Sequence, residues 1–464
     1  MLSVFRLAFV LLALGVVPPA LADEGQDAST ASEQRPLGLA QSMRQAGAAF
    51  EAGDVEAWVQ HTERLHELRP YSQDFMRHLV LGYSQIGETS RAFNMMLAMQ
   101  QQGLSENWDD FEELESLRQH RLYEHLNSLM REAGEPFGQA DEVAVLEGVA
   151  MPEALALDST TDRLFVGTVR DGRILVRGPD EEEWTVFAQP SEHEDLMAVM
   201  SMAVDVSRNQ LIVATGAVSQ FRGYRSQDAG RTAILRFDLE SGELVRRHRL
   251  VPDGRSRLLG TLTVASDGTI FAADSITPSV FRLGPDDESP RLFFGHPNLT
   301  SLRGVAVSSD DARLYVADYD LGIFVVDAQD PNQAWKLAVP ETLNEGGIDG
   351  LYKWENHLVA IQNGVIPQRI LRLALGEDGL GVVGIAPVAA ALEQFDTPTF
   401  GVMNGSRLVF LAGSHWQYVD ARGRNRGGQL PPVSILSADV DSPEVMVVGR
   451  EILERLRQQS GEGN

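Results

Sequence analysis

Three charged residues recur at one place in an otherwise apolar pattern: Glu153 in "MPEALALD", Arg303 in "SLRGVAVSSDDARLYVAD" and Asp349 in "GIDGLYKWENHLVAIQNG". Each stands at the entrance to a short alternating strand, where a charge is costly unless paired or solvated. Two carboxylates and a guanidinium that converge can form charge-assisted hydrogen bonds with one another or with a bound polar molecule. Comparable entrances elsewhere in the chain carry Ser201 or Met200, Thr261 and Thr399. At strand ends, Gln362 and Asn363 in "VAIQNG" offer amides, and Asp274 and Asp318 occupy similar places in "FAADS" and "YVADY". For the two aspartates a turn-forming role is the simpler reading. His415, beside Trp416 in "AGSHWQYV", is the histidine sited where a general base would serve, although a lone histidine can equally be structural.

Other motifs fall away on inspection. "GLGVVG", residues 379–384, fits the dinucleotide fingerprint by letter but lies between two expected strands, not between a strand and a helix. There is no nucleophile elbow and no phosphate-binding Walker loop. His61/His66 and His120/His125 are five residues apart, which does not bring a pair onto one helical face for zinc. Met95, Met96 and Met99 lie at helical spacing and read as core.

The elements that must position these residues show two periods. From about 36 to 134 the apolar spacing is helical, and Gly53 and Gly87 lie 34 residues apart, each between two apolar-periodic segments. A helix-turn-helix unit of that length is the period of tetratricopeptide arrays, which bind peptides or partner domains. "FEELESLRQHRLYEHLNSLM" would cap the stack. From about 141 to 449 the period is two. Apolar anchors after polar turns, Leu164, Leu211, Ile270, Leu314, Leu358 and Leu408, follow at intervals of 47, 59, 44, 44 and 50 residues. Repeats of about 40–50 residues holding about four strands each mark a β-propeller, because one such sheet cannot bury both faces alone. The fold expected is therefore an all-β six-bladed propeller after a helical repeat domain. Residues 143–148, "VAVLEG", or 445–449, "VMVVG", would close the ring, and 450–464 form a polar tail.

In such a ring the first strand of each blade lines the channel, so the entrance residues converge on one mouth. The blade segments containing Glu153, Arg303 and Asp349 resemble those of six-bladed propellers of the gluconolactonase and senescence-marker type. These are kin to paraoxonase, diisopropylfluorophosphatase and, more distantly, strictosidine synthase, and NHL-repeat proteins share the motifs. The resemblance spans about 140–440. It implies a channel calcium held by a glutamate of blade one, asparagines of the middle blades and an aspartate of blade five. Glu153 and Asp349 match, but Thr261 and Arg303 stand where asparagines are expected. Calcium takes about six to eight oxygen ligands, and a guanidinium supplies only donors. No cofactor is therefore favoured, with calcium on Glu153 and Asp349 as the alternative. Arg303 is expected to sit where the family keeps its metal, bridging the two carboxylates.

Composition narrows the class of partner. There are 39 basic and 66 acidic residues, a formal charge of −27, and no cysteine. A chain this acidic is a poor match for nucleic acid or an anionic membrane. Without cysteine there are no disulfides, thiolate metal sites or thiol nucleophiles. "MLSVFRLAFVLLALGVVPPALA", residues 1–22, reads as a secretory signal with cleavage after Ala22, and 23–35 as a polar leader. A periplasmic or secreted location follows as an expectation. Two functions remain open. One is a binding or scaffold module with a small-molecule site in the channel and a protein or peptide partner on the helices. The other is a lactonase- or esterase-like hydrolase, with or without metal.

Overall fold

The structure, a computed structural model, describes residues 38–441. The signal segment, the leader, the alternative closing stretch 445–449 and the tail 450–464 lie outside the described residues. No helix among the described residues is long and apolar enough to cross a membrane.

The helical part consists of α1 (Leu39–Ala52), α2 (Val55–Leu68), α3 (Gln73–Gln85), α4 (Thr89–Gln101), the short α5 (Glu115–Arg118) and α6 (Arg121–Glu132). Gly53 and Gly87 take φ of +71° and +79°, the left-handed geometry that ends α1 and α3 and that glycine adopts without steric cost. Asp54 and Ser72 then cap α2 and α3 by accepting the backbone N–H of Ala57 and Phe75. Met96 and Met99 are fully buried in the helical core, as their spacing suggests, with Met95 partly buried against it.

Six antiparallel sheets follow. Blade one comprises Pro152–Asp158, Arg163–Thr168, Ile174–Arg177 and Thr185–Ala188; blade two Ala198–Asp205, Gln210–Gly216, Thr232–Asp238 and Leu244–Arg249. Blade three comprises Leu259–Val264, Ile270–Asp274, Ser279–Leu283 and Arg291–Phe294; blade four Leu302–Val307, Arg313–Asp318, Gly322–Asp327 and Ala334–Lys336. Blade five comprises Ile348–Trp354, His357–Gln362, Arg369–Leu375 and Val382–Ala390; blade six Gly401–Asn404, Arg407–Leu411, Val433–Asp439 and Asp141–Leu146. The ring is thus closed by Asp141–Leu146, an N-terminal strand paired with Val433–Asp439. Phe137–Gly138 adds a fifth strand to blade five.

All six anchor residues lie in second strands and are buried. Each pair of neighbouring blades shares its own hydrophobic cluster, so the core is a circle of six interfaces rather than one centre. First strands adjoin one another around the ring. In blades one to five that strand carries a one-residue register shift, after its second residue in blade two and after its first in the others. The extra residue is Glu153, Met200, Gly260, Arg303 and Asp349 in turn. A bulge leaves its extra residue unpaired and re-aims the side chain, which is how the strand entrances present groups to the axis.

The helical part is bonded to the propeller. Arg69 Nε meets Asp320 Oδ2 at 3.0 Å, and Tyr71 Oη donates to Glu345 Oε1 at 2.6 Å. Asn344 donates to Tyr71 O and Gln102 Oε1. Ser105 N–H donates to Ile366 O, Ile366 N–H donates to Gln73 Oε1, and Val365 enters the helical core. The propeller loops involved, 319–320, 344–347 and 363–368, belong to blades four and five and lie at the same end as the entrances of Arg303 and Asp349.

Candidate functional site

The bulges of blades one, four and five place Glu153, Arg303 and Asp349 in mutual electrostatic reach. Glu153 is 4% exposed, and its Oε2 accepts the indole N–H of Trp416 at 2.8 Å. Burial first, then the neighbouring Asp349, push its carboxyl up to about 8; the Trp416 bond and Arg303 pull the other way. At pH 7 Glu153 is therefore mostly the neutral acid, able to donate as well as accept. Arg303 Nε stands 4.0 Å from Asp349 Oδ1 and donates to Ser301 Oγ at 3.2 Å. Its guanidinium lies over the Tyr319 ring at 5.9 Å. It does not hydrogen-bond Glu153, so the expected bridge between both carboxylates is replaced by a looser arrangement. The physical reason is competition: Trp416 satisfies Glu153, and Ser301 and Tyr319 hold the guanidinium on the side of blade four.

Asp349 is held from the other side. Asn363 Nδ2 donates to Asp349 Oδ2 and to Pro398 O, both at 2.8 Å, and Asn363 Oδ1 accepts Tyr319 Oη at 3.0 Å. Burial, with Asp349 adding to it, raises the Tyr319 phenol far above its ordinary range, so it remains a donor. Tyr319, Asn363 and Asp349 form one hydrogen-bonded relay. Thr399, at the blade-six position equivalent to Asp349, is 3% exposed and its Oγ1 has no partner among the described residues.

Other expected site residues fall elsewhere. Thr261 is one residue out of step: the bulge of blade three is Gly260, and Thr261 is paired in the ladder with Ala273. Gln362 is fully buried, donating to Asn344 O and Gly346 O and accepting from Arg369 Nε at 2.6 Å. Arg369 in turn donates to Gln102 O and Gly103 O of the helical part, so Gln362 anchors that junction and has no amide left for a ligand. His415 is 1% exposed; Nδ1 accepts Met151 N–H at 3.0 Å, and the Nε2 proton is therefore donated to Pro431 O at 2.8 Å. With both nitrogens committed and its pKa lowered by burial, His415 is not placed to act as a base. Asp274 and Asp318 accept backbone N–H groups in their turns and are structural.

Tyr319 escapes sequence reasoning, because it lies in the turn after a second strand, where no periodicity marks it.

The strand entrances offer calcium few free ligands: one Asp349 oxygen is taken by Asn363, and a cation already stands beside the other. Among the described residues no group of three or more His, Asp or Glu side chains could hold a metal.

Beside the relay opens a cleft of about 420 Å³ between the helical part and blades four and five. Tyr319 and Asn363 lie in its wall, with Tyr71, Gln73, Arg69 and Asp320.

Fold and site together define a six-bladed propeller with a helical annex and a polar mouth of mixed charge. No family model matches the chain, and no curated protein matches it. Solved structures similar to it include the PQQ-bound aldose sugar dehydrogenase of Streptomyces coelicolor, at 14% identity and a TM-score of 0.44, covering 66% of this chain and 99% of that one. A gluconolactonase of Xanthomonas campestris is 17% identical with a TM-score of 0.43, over 66% of this chain and 99% of its own. A luciferin-regenerating enzyme is 15% identical with a TM-score of 0.46, over 68% and 97%.

Proposed function

We propose that the chain is a periplasmic or secreted binding propeller, metal-independent, that holds a small polar molecule at its axial mouth. One observation carries this reading: a cation whose side chain is 37% exposed, Arg303, stands beside the buried Asp349, with Glu153, raised toward the neutral acid, in electrostatic reach and the unpartnered hydroxyl of Thr399 at the equivalent strand entrance of blade six. A ligand bearing a carboxylate or a cluster of hydroxyls would pair with Arg303 and exchange hydrogen bonds with Glu153 and Thr399. The helical annex narrows the approach by walling the cleft next to Tyr319. A protein or peptide partner of the helices would meet the surface left over, which carries the exposed Phe50, Leu97 and Leu122.

The test is a calorimetric screen of hydroxy acids, sugars and lactones, repeated with Arg303→Met. Stoichiometric binding that weakens at least tenfold in the variant supports the reading. Binding that is indifferent to Arg303→Met overturns it.

A hydrolase remains the second reading, favoured by Glu153 itself: a carboxyl titrating near 8 can exchange protons at neutral pH. Turnover of lactones or aryl esters that rises through that pH and is lost in Glu153→Gln would establish it. The absence of turnover in wild type that binds the same compounds would exclude it.

A further inference from the structure

Blade two carries a cluster of cations that the axial site does not use. Arg236, in its third strand, is only 3% exposed, yet among the described residues its side chain makes a single hydrogen bond, a long one of 3.4 Å from Nη1 to Gln210 Oε1. Its Nε and Nη2 are buried and without a partner among the described residues. Directly across the ladder stands Arg246, so two guanidinium side chains share one face of the sheet. Arg246 reaches over to blade three, donating to Pro285 O and Asp286 O at 3.3 and 3.4 Å. His248, two residues on and on the same face, is fully buried; Nδ1 meets Glu288 O at 3.0 Å, and Nε2 has no partner among the described residues.

The carboxylate that bears on Arg236 is Asp205, and it is already bonded to Arg208 Nη1 at 2.9 Å and to Ser207. Three guanidinium groups thus stand against one engaged carboxylate. Burial, Arg246 and Arg208 all press on Arg236, and burial, with Arg236 and Arg246 adding to it, lowers the pKa of His248. A guanidinium does not escape by deprotonation at physiological pH, and a buried one lacking both counter-charge and hydrogen bonds is strongly unfavourable. A water molecule would satisfy N–H groups but leave the charge. An anion supplies both.

We propose that a small inorganic anion binds between blades two and three, held by Nε and Nη2 of Arg236 and flanked by Arg246. The site lies in the outer half of blade two, in the third and fourth strands of that sheet, separate from the mouth lined by first strands. It acts as a buried counter-ion at the seam between two blades.

The test is thermal unfolding of the full chain at constant ionic strength, with chloride, sulfate or phosphate replacing a bulky organic sulfonate. The expected result is a saturable rise in Tm with at least one of them. Half-saturation should move at least tenfold higher in Arg236→Met and stay unchanged in Arg303→Met, which separates this site from the axial one. If Arg236→Met does not fold, bromide-soaked crystals of wild type decide the matter: an anomalous peak within hydrogen-bond reach of Arg236 Nε and Nη2 supports the site. A water in that place, a purely linear salt response, or an Arg236→Met curve identical to wild type would overturn it.

Discussion

Glu153→Gln isolates the most unusual group in the structure. Its carboxyl is raised from 4.5 to about 8, chiefly by burial and secondly by Asp349. The folded protein therefore keeps a proton that the unfolded chain releases near 4.5, and stability falls as pH rises through the window between the two values. Full ionisation corresponds to about 5 kcal/mol, of which about 3 kcal/mol is already lost at pH 7. Glutamine copies the neutral acid, and its carbonyl can still accept the Trp416 indole. At pH 4.5 the variant and wild type should be nearly equal in stability. At pH 7 the variant should be more stable by about 3 kcal/mol, and at pH 9 by about 5 kcal/mol. Urea unfolding at half-unit pH steps, plotted as the difference between the two proteins, reads this directly. A flat difference, or one in which wild type gains on the variant as pH rises, would refute the reasoning. It would mean that Arg303 pairs with an ionised Glu153 after all.

Further outcomes follow from the same contacts. Trp416→Phe removes the indole bond that favours the carboxylate, so Glu153 should move still higher; wild-type tryptophan emission should titrate near pH 8, and the variant should lose that transition. Glu345→Ala leaves Lys336 and Tyr71 without their shared, fully buried partner. It should cost about 3–5 kcal/mol, with hydrogen exchange quickening first in α2 and α3. His415→Ala strands Met151 N–H and Pro431 O and should cost about 1–3 kcal/mol. It should leave the pH profile of ligand binding between 5 and 8 unchanged, whereas a catalytic histidine would not.

Much of the ring was readable because its information is local. Strand alternation and turn polarity located every second strand, and the anchors Leu164 to Leu408 all occupy that strand in the structure. Glu153, Arg303 and Asp349 stood out because a charge at the head of an apolar strand is conspicuous. The bulge that aims them was not visible, since it depends on pairing register, and the error at Thr261 is a one-residue consequence of that. Gln362 and His415 misled for a common reason. Residue type suggests chemistry, but their partners, Asn344 O, Arg369, Met151 N and Pro431 O, come from segments that periodicity does not align. The docking of the helices on blades four and five was equally hidden, because its bonds join residues such as Tyr71 and Glu345 that are 274 positions apart.

The stretch from Phe137 to Leu146 binds to two blades in succession, first along the outer edge of blade five and then as the outermost strand of blade six. It works as a hem: the last blade of the circle is finished by thread from the beginning. Tension on the helices would consequently be delivered to the seam where the circle is sewn shut. Cutting the chain ahead of Phe137 would spare that seam, while losing the ten residues from Phe137 to Leu146 would unpick it.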